Sequence, residues 1–347
     1  MNNSFDKDLL LQKVETLCRK GQESGLWAGN VIVAGNSEQE LFRYADGIAD
    51  PASGRKMTYD TIFDIASVTK VLGTAALLAI AHEKKLLDID APLTEYLPEF
   101  TGKTCGNPSI RDFSMHTAGM GIWYPHYINR QDEMRRDILK QDAECKKNTV
   151  FKYSCLNFLL LSFLLCKVFG KDLAIAAKEL IFDKLDMKDS SWCDPVDKSR
   201  TIRTINAAPG TISDFGAMEM YPVATGNAGI FTTAEDIGKF ARSMLKYGEK
   251  IMEKATAENL LFRSATSPAV ARRHAVGWDM GEEMLPEGFS RQGVFHSGWT
   301  GQTLWLDPEK NIYIAVLTNR MGDHTQSKYL RRDIGFAIAG TLLAQEK

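Results

Sequence analysis

The stretch FDIASVTKVLGTAALLAI, residues 63–80, sets Ser67 and Lys70 three residues apart, where an extended segment gives way to a long apolar helix. A hydroxyl and an amine at that spacing can do nucleophilic chemistry. Side chains at i and i+3 of a helix share a face, so the Lys70 amine can reach the Ser67 hydroxyl. The Ser67 amide, with no intrahelical partner in the first turn, can stabilise negative charge on a carbonyl oxygen. The apolar run behind Lys70 predicts burial, which lowers an amine's pKa towards that of a neutral base. Together these features activate a serine without a histidine. From these two residues alone, a serine helix cap followed by a solvated lysine reads equally well.

Ser-x-x-Lys occurs four times, at Ser4/Lys7, Ser53/Lys56, Ser67/Lys70 and Ser243/Lys246. Position selects among them. Ser4 lies in the N-terminal tail, Ser53 in a loop with Pro and Gly, and Ser243 towards the end of a helix, where the carbonyl end of the dipole opposes an oxyanion. Two later motifs follow Ser67 in the chain: Tyr153-Ser154-Cys155 ahead of the apolar LNFLLL, and His296-Ser297-Gly298 on a strand near the C-terminus. In order, spacing and context these resemble the class C β-lactamases and their relatives, with Ser-x-x-Lys, Tyr-x-Asn and a third element that is Lys- or His-x-Gly. The segments LDIDAPLTEYLPEF, SIRDFSMHTAGM, LIFDKLDMKDSSW, GNAGIFTTAEDIGKF and HSGWTGQTLWLDPEKNIYIAVLTNR are similar to that family too, so the resemblance runs from about Asn30 onward.

The resemblance implies that Ser67 is the nucleophile and that Lys70 and Tyr153 together take its proton and return one to the leaving group. It implies that residues 296–298 line the cleft on an edge strand, that Gly298 admits the substrate's backbone, and that the Trp299 amide joins that of Ser67 as an oxyanion donor. His296 stands where the lactamases carry lysine, which replaces a fixed charge by a group titrating near pH 6.5. Cys155 replaces the motif's asparagine and with it an amide that orients acylamino substrates. Asn157 would compensate only if the loop shifted register, and Cys155 reads as a small polarisable filler rather than a reactive thiol. Trp123 and Tyr124 could wall the pocket with Trp299, or equally serve as surface anchors.

The elements that must position these residues follow from pattern. With 44% AVILMFWYC residues and 25% charged residues over 347 positions, the chain can build a sizeable core. A net charge of −2 without a basic cluster gives no reason to expect nucleic acid or an anionic membrane as partner. The charged N-terminal helix lacks the form of a signal peptide, so a cytoplasmic location is expected. The longest apolar run, Leu156 to Val168, is too short to span a bilayer and predicts a buried helix. Cys18, Cys105, Cys145, Cys155, Cys166 and Cys193 show no zinc-ligand spacing and are expected as free thiols. Thr101-Gly102-Lys103-Thr104 lacks the first glycine of a phosphate loop, so no nucleotide, metal or other cofactor is expected.

Val31–Ala34 and Leu41–Tyr44 predict a hairpin around Gly35-Asn36, and Gly293–His296, Thr303–Leu306 and Ile312–Thr318 predict further strands. Thr232-Thr233-Ala234-Glu235 predicts a capping-box start to a helix over DIGKFARSML, and a closing helix is expected over about 329–345. The fold class expected is α/β of the α+β type, β-lactamase/transpeptidase-like: an antiparallel sheet flanked by helices. It forms a single catalytic domain over 1–347, with an α/β region (about 1–70 and 200–347) and an inserted helical region (about 71–199). The function expected is a serine hydrolase acting through an acyl-enzyme on a small ester. The alternatives are a D-amino-acid amidase, a D-aminopeptidase or a weak β-lactamase, and, from another class, a penicillin-binding-type sensor that does not turn over.

Overall fold

The computed structural model describes residues 6–101, 106–121 and 130–344. Strands β1 (Trp27–Gly35), β2 (Glu40–Asp50) and β3 (Arg55–Lys56) are followed by β4 (Phe63–Asp64), β5 (Ser191–Trp192) and β6 (Ile230–Thr232), and the chain ends its sheet with β7 (Val294–Ser297), β8 (Gln302–Asp307) and β9 (Ile312–Arg320). Six of them form an antiparallel sheet in the order β3-β2-β1-β9-β8-β7, and β4-β6-β5 form a smaller one. The expected antiparallel sheet flanked by helices is therefore present. β1 pairs with β9 as Ile32↔Val316 and Val33↔Ala315, so the two ends of the sequence meet at the sheet's centre.

Side chains alternate across a strand, and the central strands are apolar on both faces because both are covered. Ile32, Ala34, Ile314, Val316 and Trp305 pack with Leu10 and Val14 of the Lys7–Glu23 helix and Ile334 and Ile338 of the His324–Leu343 helix. Val31, Val33, Leu304, Ala315 and Leu317 join the larger core built with the helices of the middle of the chain. Among these is Cys155–Phe169, capped by the Ser154 hydroxyl and ended by Gly170 at φ 65°. No helix of the described residues is long and apolar enough to cross a membrane.

Three local readings differ from the sequence pattern. The hairpin strands extend well beyond 31–34 and 41–44, because the polar residues flanking the apolar runs still pair in the ladder. The last helix starts at His324, where the Asp323 carboxylate accepts from the Gln326 amide at 2.7 Å, so its polar first turn carries no apolar signal. Thr233 does cap its helix, accepting from Asp236 N at 3.3 Å, but Glu235 does not reciprocate. The described cysteines are free thiols, and Cys105 lies outside the described residues.

Candidate active site

Ser67 is presented by a bend rather than by a helix cap. β4 pairs with β6 through Phe63↔Thr232 and Asp64↔Phe231, fixing the approach to Ser67. The buried Asp64 carboxylate then accepts from Ala66 N at 2.9 Å and Ser213 N at 2.8 Å. Ala66 lies at φ 43°, a left-handed conformation that costs an ordinary residue about 1–2 kcal/mol. The Asp64 carboxylate offsets that strain. A single 3₁₀ turn, Ala66–Val68, follows and passes into a π-helical stretch, Lys70–Ala75, before the regular helix Ala76–Glu83. The Ser67 hydroxyl is thus free of capping and points at other side chains.

Two of them converge on it. Lys70, fully buried, lies 2.9 Å from Ser67 Oγ and also donates to the Asn227 carbonyl at 2.8 Å. Tyr153 Oη donates to the same Ser67 Oγ at 2.9 Å. Its ring lies 5.2 Å from the Lys70 nitrogen and packs against His116, with centroids 4.5 Å apart. His116 also holds the segment behind Tyr153, its Nδ1 accepting from Ser154 N at 3.2 Å and pairing with Asn157 Nδ2 at 3.1 Å. Asn157 therefore faces His116 and does not replace the missing motif amide. Cys155 occupies that place, with its sulfur 3.7 Å from the Lys70 nitrogen.

β7 brings the third motif alongside, His296 pairing with Leu304 across the ladder. Gly298 is required for a reason other than the substrate's backbone. A Cβ there would meet the Ile65 carbonyl at 2.5 Å and Gln302 Oε1 at 2.6 Å, so glycine lets the end of β7 press against the backbone that leads to Ser67. Thr300 ties the same junction, its hydroxyl donating to the Asp64 carbonyl at 2.8 Å. Trp299 is half exposed, its ring sandwiched between the Arg320 guanidinium, 4.3 Å away, and His324, 4.6 Å away. Trp123 and Tyr124 lie outside the described residues.

Burial, with the Lys70 charge nearby, holds His296 down to about 3, so it is neutral near pH 7 and does not titrate near pH 6.5. Lys70 also departs from the sequence reading. Burial, the largest single influence, pulls its ammonium down, but the Asp214 carboxylate and, in their anionic forms, Cys155 and Tyr153 act the other way, and the net direction is upward. Although the Tyr153 ring is 41% exposed to the cleft, burial of its hydroxyl end raises the phenol against the pull of Lys70. Burial likewise raises the Cys155 thiol. Lys70, Tyr153 and Cys155 therefore titrate as one coupled group, in which burial favours the neutral phenol and thiol and an anionic partner favours the ammonium.

These groups line a cleft of about 1010 Å³, with Phe151, Leu159 and Phe215 as apolar walls and Arg320 and Lys328 at the Trp299 end. Arg320 uses its Nε and Nη1 on the Trp299 and Gly322 carbonyls, while its Nη2 is buried without a partner, so that end is cationic. No cluster of His, Cys, Asp or Glu able to hold a metal ion occurs among the described residues. Sequence reasoning missed Asp64, His116, Asp214 and Asn227. Their local signals, the Asx turn at Asp64 and the helix cap at Asp214, are those of ordinary structural residues.

The family model described as Beta-lactamase matches residues 14–337. A Bacillus subtilis N-acetylmuramyl-L-alanine amidase is 25% identical over 363 aligned positions, covering 89% of this chain and 81% of the relative. Esterase EstB of Burkholderia gladioli is 32% identical over 124 residues, 35% of this chain and 31% of the esterase. Among solved structures, EstCE1, titled a hydrolase with promiscuous acyltransferase activity, superposes with a TM-score of 0.78 at 19% identity, covering 95% of this chain and 99% of that one. The likeness to EstCE1 is one of fold, whereas the family match spans nearly the whole sequence. By that match the chain belongs to the Beta-lactamase family, and it is a hydrolase of the serine β-lactamase kind.

Proposed function

We propose that the protein hydrolyses a small ester through an acyl-enzyme on Ser67. The observation that carries this reading is the convergence of Lys70 and Tyr153 on one serine oxygen, each at 2.9 Å. With both Lys70 and Tyr153 protonated at rest, the reactive form is the pair after loss of one proton, which the two groups share. Tyr153 then takes the Ser67 proton as the oxygen attacks the substrate carbonyl, and the Lys70 ammonium stabilises the charge on the phenol oxygen. Collapse of the tetrahedral intermediate breaks the bond to the leaving group, which receives that proton. Water, deprotonated by the same pair, repeats the sequence and releases the acid. The Ser67 and Trp299 amides are the donors assigned to the oxyanion. Activity should rise with pH as the pair loses its proton.

Cys155 supports the ester reading over an amide. An amide or β-lactam has a poorer leaving group and depends more on hydrogen bonds that orient its acyl side chain in the transition state. A thiol does not donate and accept as a side-chain amide does. The amide reading draws on the amidase among the relatives. Cys155→Asn tests between them. It should raise kcat/KM for a D-amino-acid amide or a cephalosporin relative to a short p-nitrophenyl ester by about 0.5–1.5 kcal/mol, up to roughly tenfold. An unchanged or lowered ratio, in a variant with wild-type thermal unfolding, removes Cys155 as the determinant. Acylation that persists without turnover on any of these compounds would favour the sensor reading.

A further inference from the structure

We infer that Asp214 is a positioning residue for Lys70, holding the amine through Asn227 and supplying the negative charge that keeps its proton in place. The inference rests on the roles proposed above for Ser67, Lys70 and Tyr153. Lys70 is fully buried, yet its nitrogen has no carboxylate in contact: it bonds the Ser67 hydroxyl, the Asn227 carbonyl and, weakly, the Cys155 thiol, with the Tyr153 hydroxyl beside it. A buried cation without a direct counter-ion needs its charge balanced through the surrounding polar network. That network is short. The Asn227 carbonyl accepts from Lys70 at 2.8 Å, and the Asn227 side-chain amide donates to Asp214 Oδ1 at 2.8 Å. Asp214 Oδ1 also accepts from Ala217 N at 2.9 Å, capping the Phe215–Met220 helix, which fixes the carboxylate against that helix.

Asn227 is 1% exposed, and its side-chain oxygen has no partner. Its donor bond to Asp214, with the Cys155 thiol as its other neighbour, orients this buried amide. The other groups facing Lys70 cannot balance it. Tyr153 and Cys155 are raised by burial and hold their protons, while His116 and His296 are lowered by burial and stay neutral. Asp214 is the carboxylate among the groups that raise Lys70, and it acts on Cys155 in the same sense. Asp64, on the β4 side, feels Asp214 but is spent on the Ala66 and Ser213 amides. This arrangement lets Asn227 and Asp214 together serve Lys70, as the asparagine absent from position 155 would do.

Asp214→Asn isolates the charge, because asparagine can still cap the helix and accept from Asn227. The readout is the rate at which a fluorophosphonate labels Ser67, measured from about pH 6 to about pH 11.5, a range that spans the ordinary tyrosine and lysine values of about 10 and 10.4. Removing a negative charge near an ammonium lowers its pKa. The rising limb should therefore move to lower pH by ~0.5–1 unit, and the weaker base should lower the plateau by on the order of tenfold. Asp214→Glu keeps the charge and should keep the midpoint. Asn227→Ala, which keeps the Asp214 charge and the backbone carbonyl and breaks only the link, should lower the plateau with the midpoint held, and it decides the positioning role if Asp214→Asn does not fold. An unmoved midpoint and plateau in a folded Asp214→Asn or Asn227→Ala protein overturns the inference. Labelling that survives Ser67→Ala overturns the proposed nucleophile instead.

Discussion

Ser67→Ala should abolish hydrolysis of every ester the wild type accepts, lowering kcat by at least about 10⁴-fold, the scale on which removing a nucleophile acts in serine hydrolases. The fold should survive. The hydroxyl caps no helix, and its hydrogen-bond partners are the two groups it reacts with. Lys70 keeps the Asn227 carbonyl, so the lost interactions are worth about 1 kcal/mol, a shift of a few degrees at most in Tm. Alanine is also the residue that adds no bulk beside the strained Ala66. Turnover within tenfold of wild type, in protein free of wild-type contamination, would remove Ser67 from the mechanism.

Tyr153→Phe should lower kcat by at least about 10²-fold with a smaller change in KM, the low end for losing a general acid–base group. The substitution keeps the ring contacts with His116 and Lys70. What is lost is the hydroxyl, with its bond to Ser67 Oγ and its interaction with the Lys70 amine. The remaining activity should depend on Lys70 alone, with the raised phenol no longer contributing to the pH profile. A change confined to KM would make Tyr153 a binding residue and leave Lys70 as the sole base.

The convergence of the proposed trio was legible because each member sits in a local pattern: Ser67 and Lys70 at helical spacing, and Tyr153 two residues before an apolar helix. The strands of the third motif were legible from their alternation and the turn at 307–311. What places the trio was not. Asp64 and Ala66 make a left-handed bend that no periodicity signals, and the π-helical winding after Lys70 shows only in the backbone. Gly298 could be read as a close approach, but which backbone approaches is decided by the packing of β7 against Ile65. The charge state of Lys70 shows the same limit. Burial was visible in VLGTAALLAI and points downward, whereas the opposing groups, Cys155, Tyr153 and Asp214, come from segments far along the chain. His296 fails in the other direction, since its burial depends on tertiary packing and not on its neighbours in sequence.

The most direct test of the account is the identity of the atom that becomes acylated or phosphonylated. Wild-type protein is treated with a fluorophosphonate, its intact mass measured, and the modified tryptic peptide sequenced by fragmentation. The account predicts one adduct per chain, on Ser67 within the peptide covering residues 57–70, with none in the Ser67→Ala protein. An adduct on Cys155, in the peptide covering residues 153–167, or ester turnover with no adduct at Ser67, would contradict it.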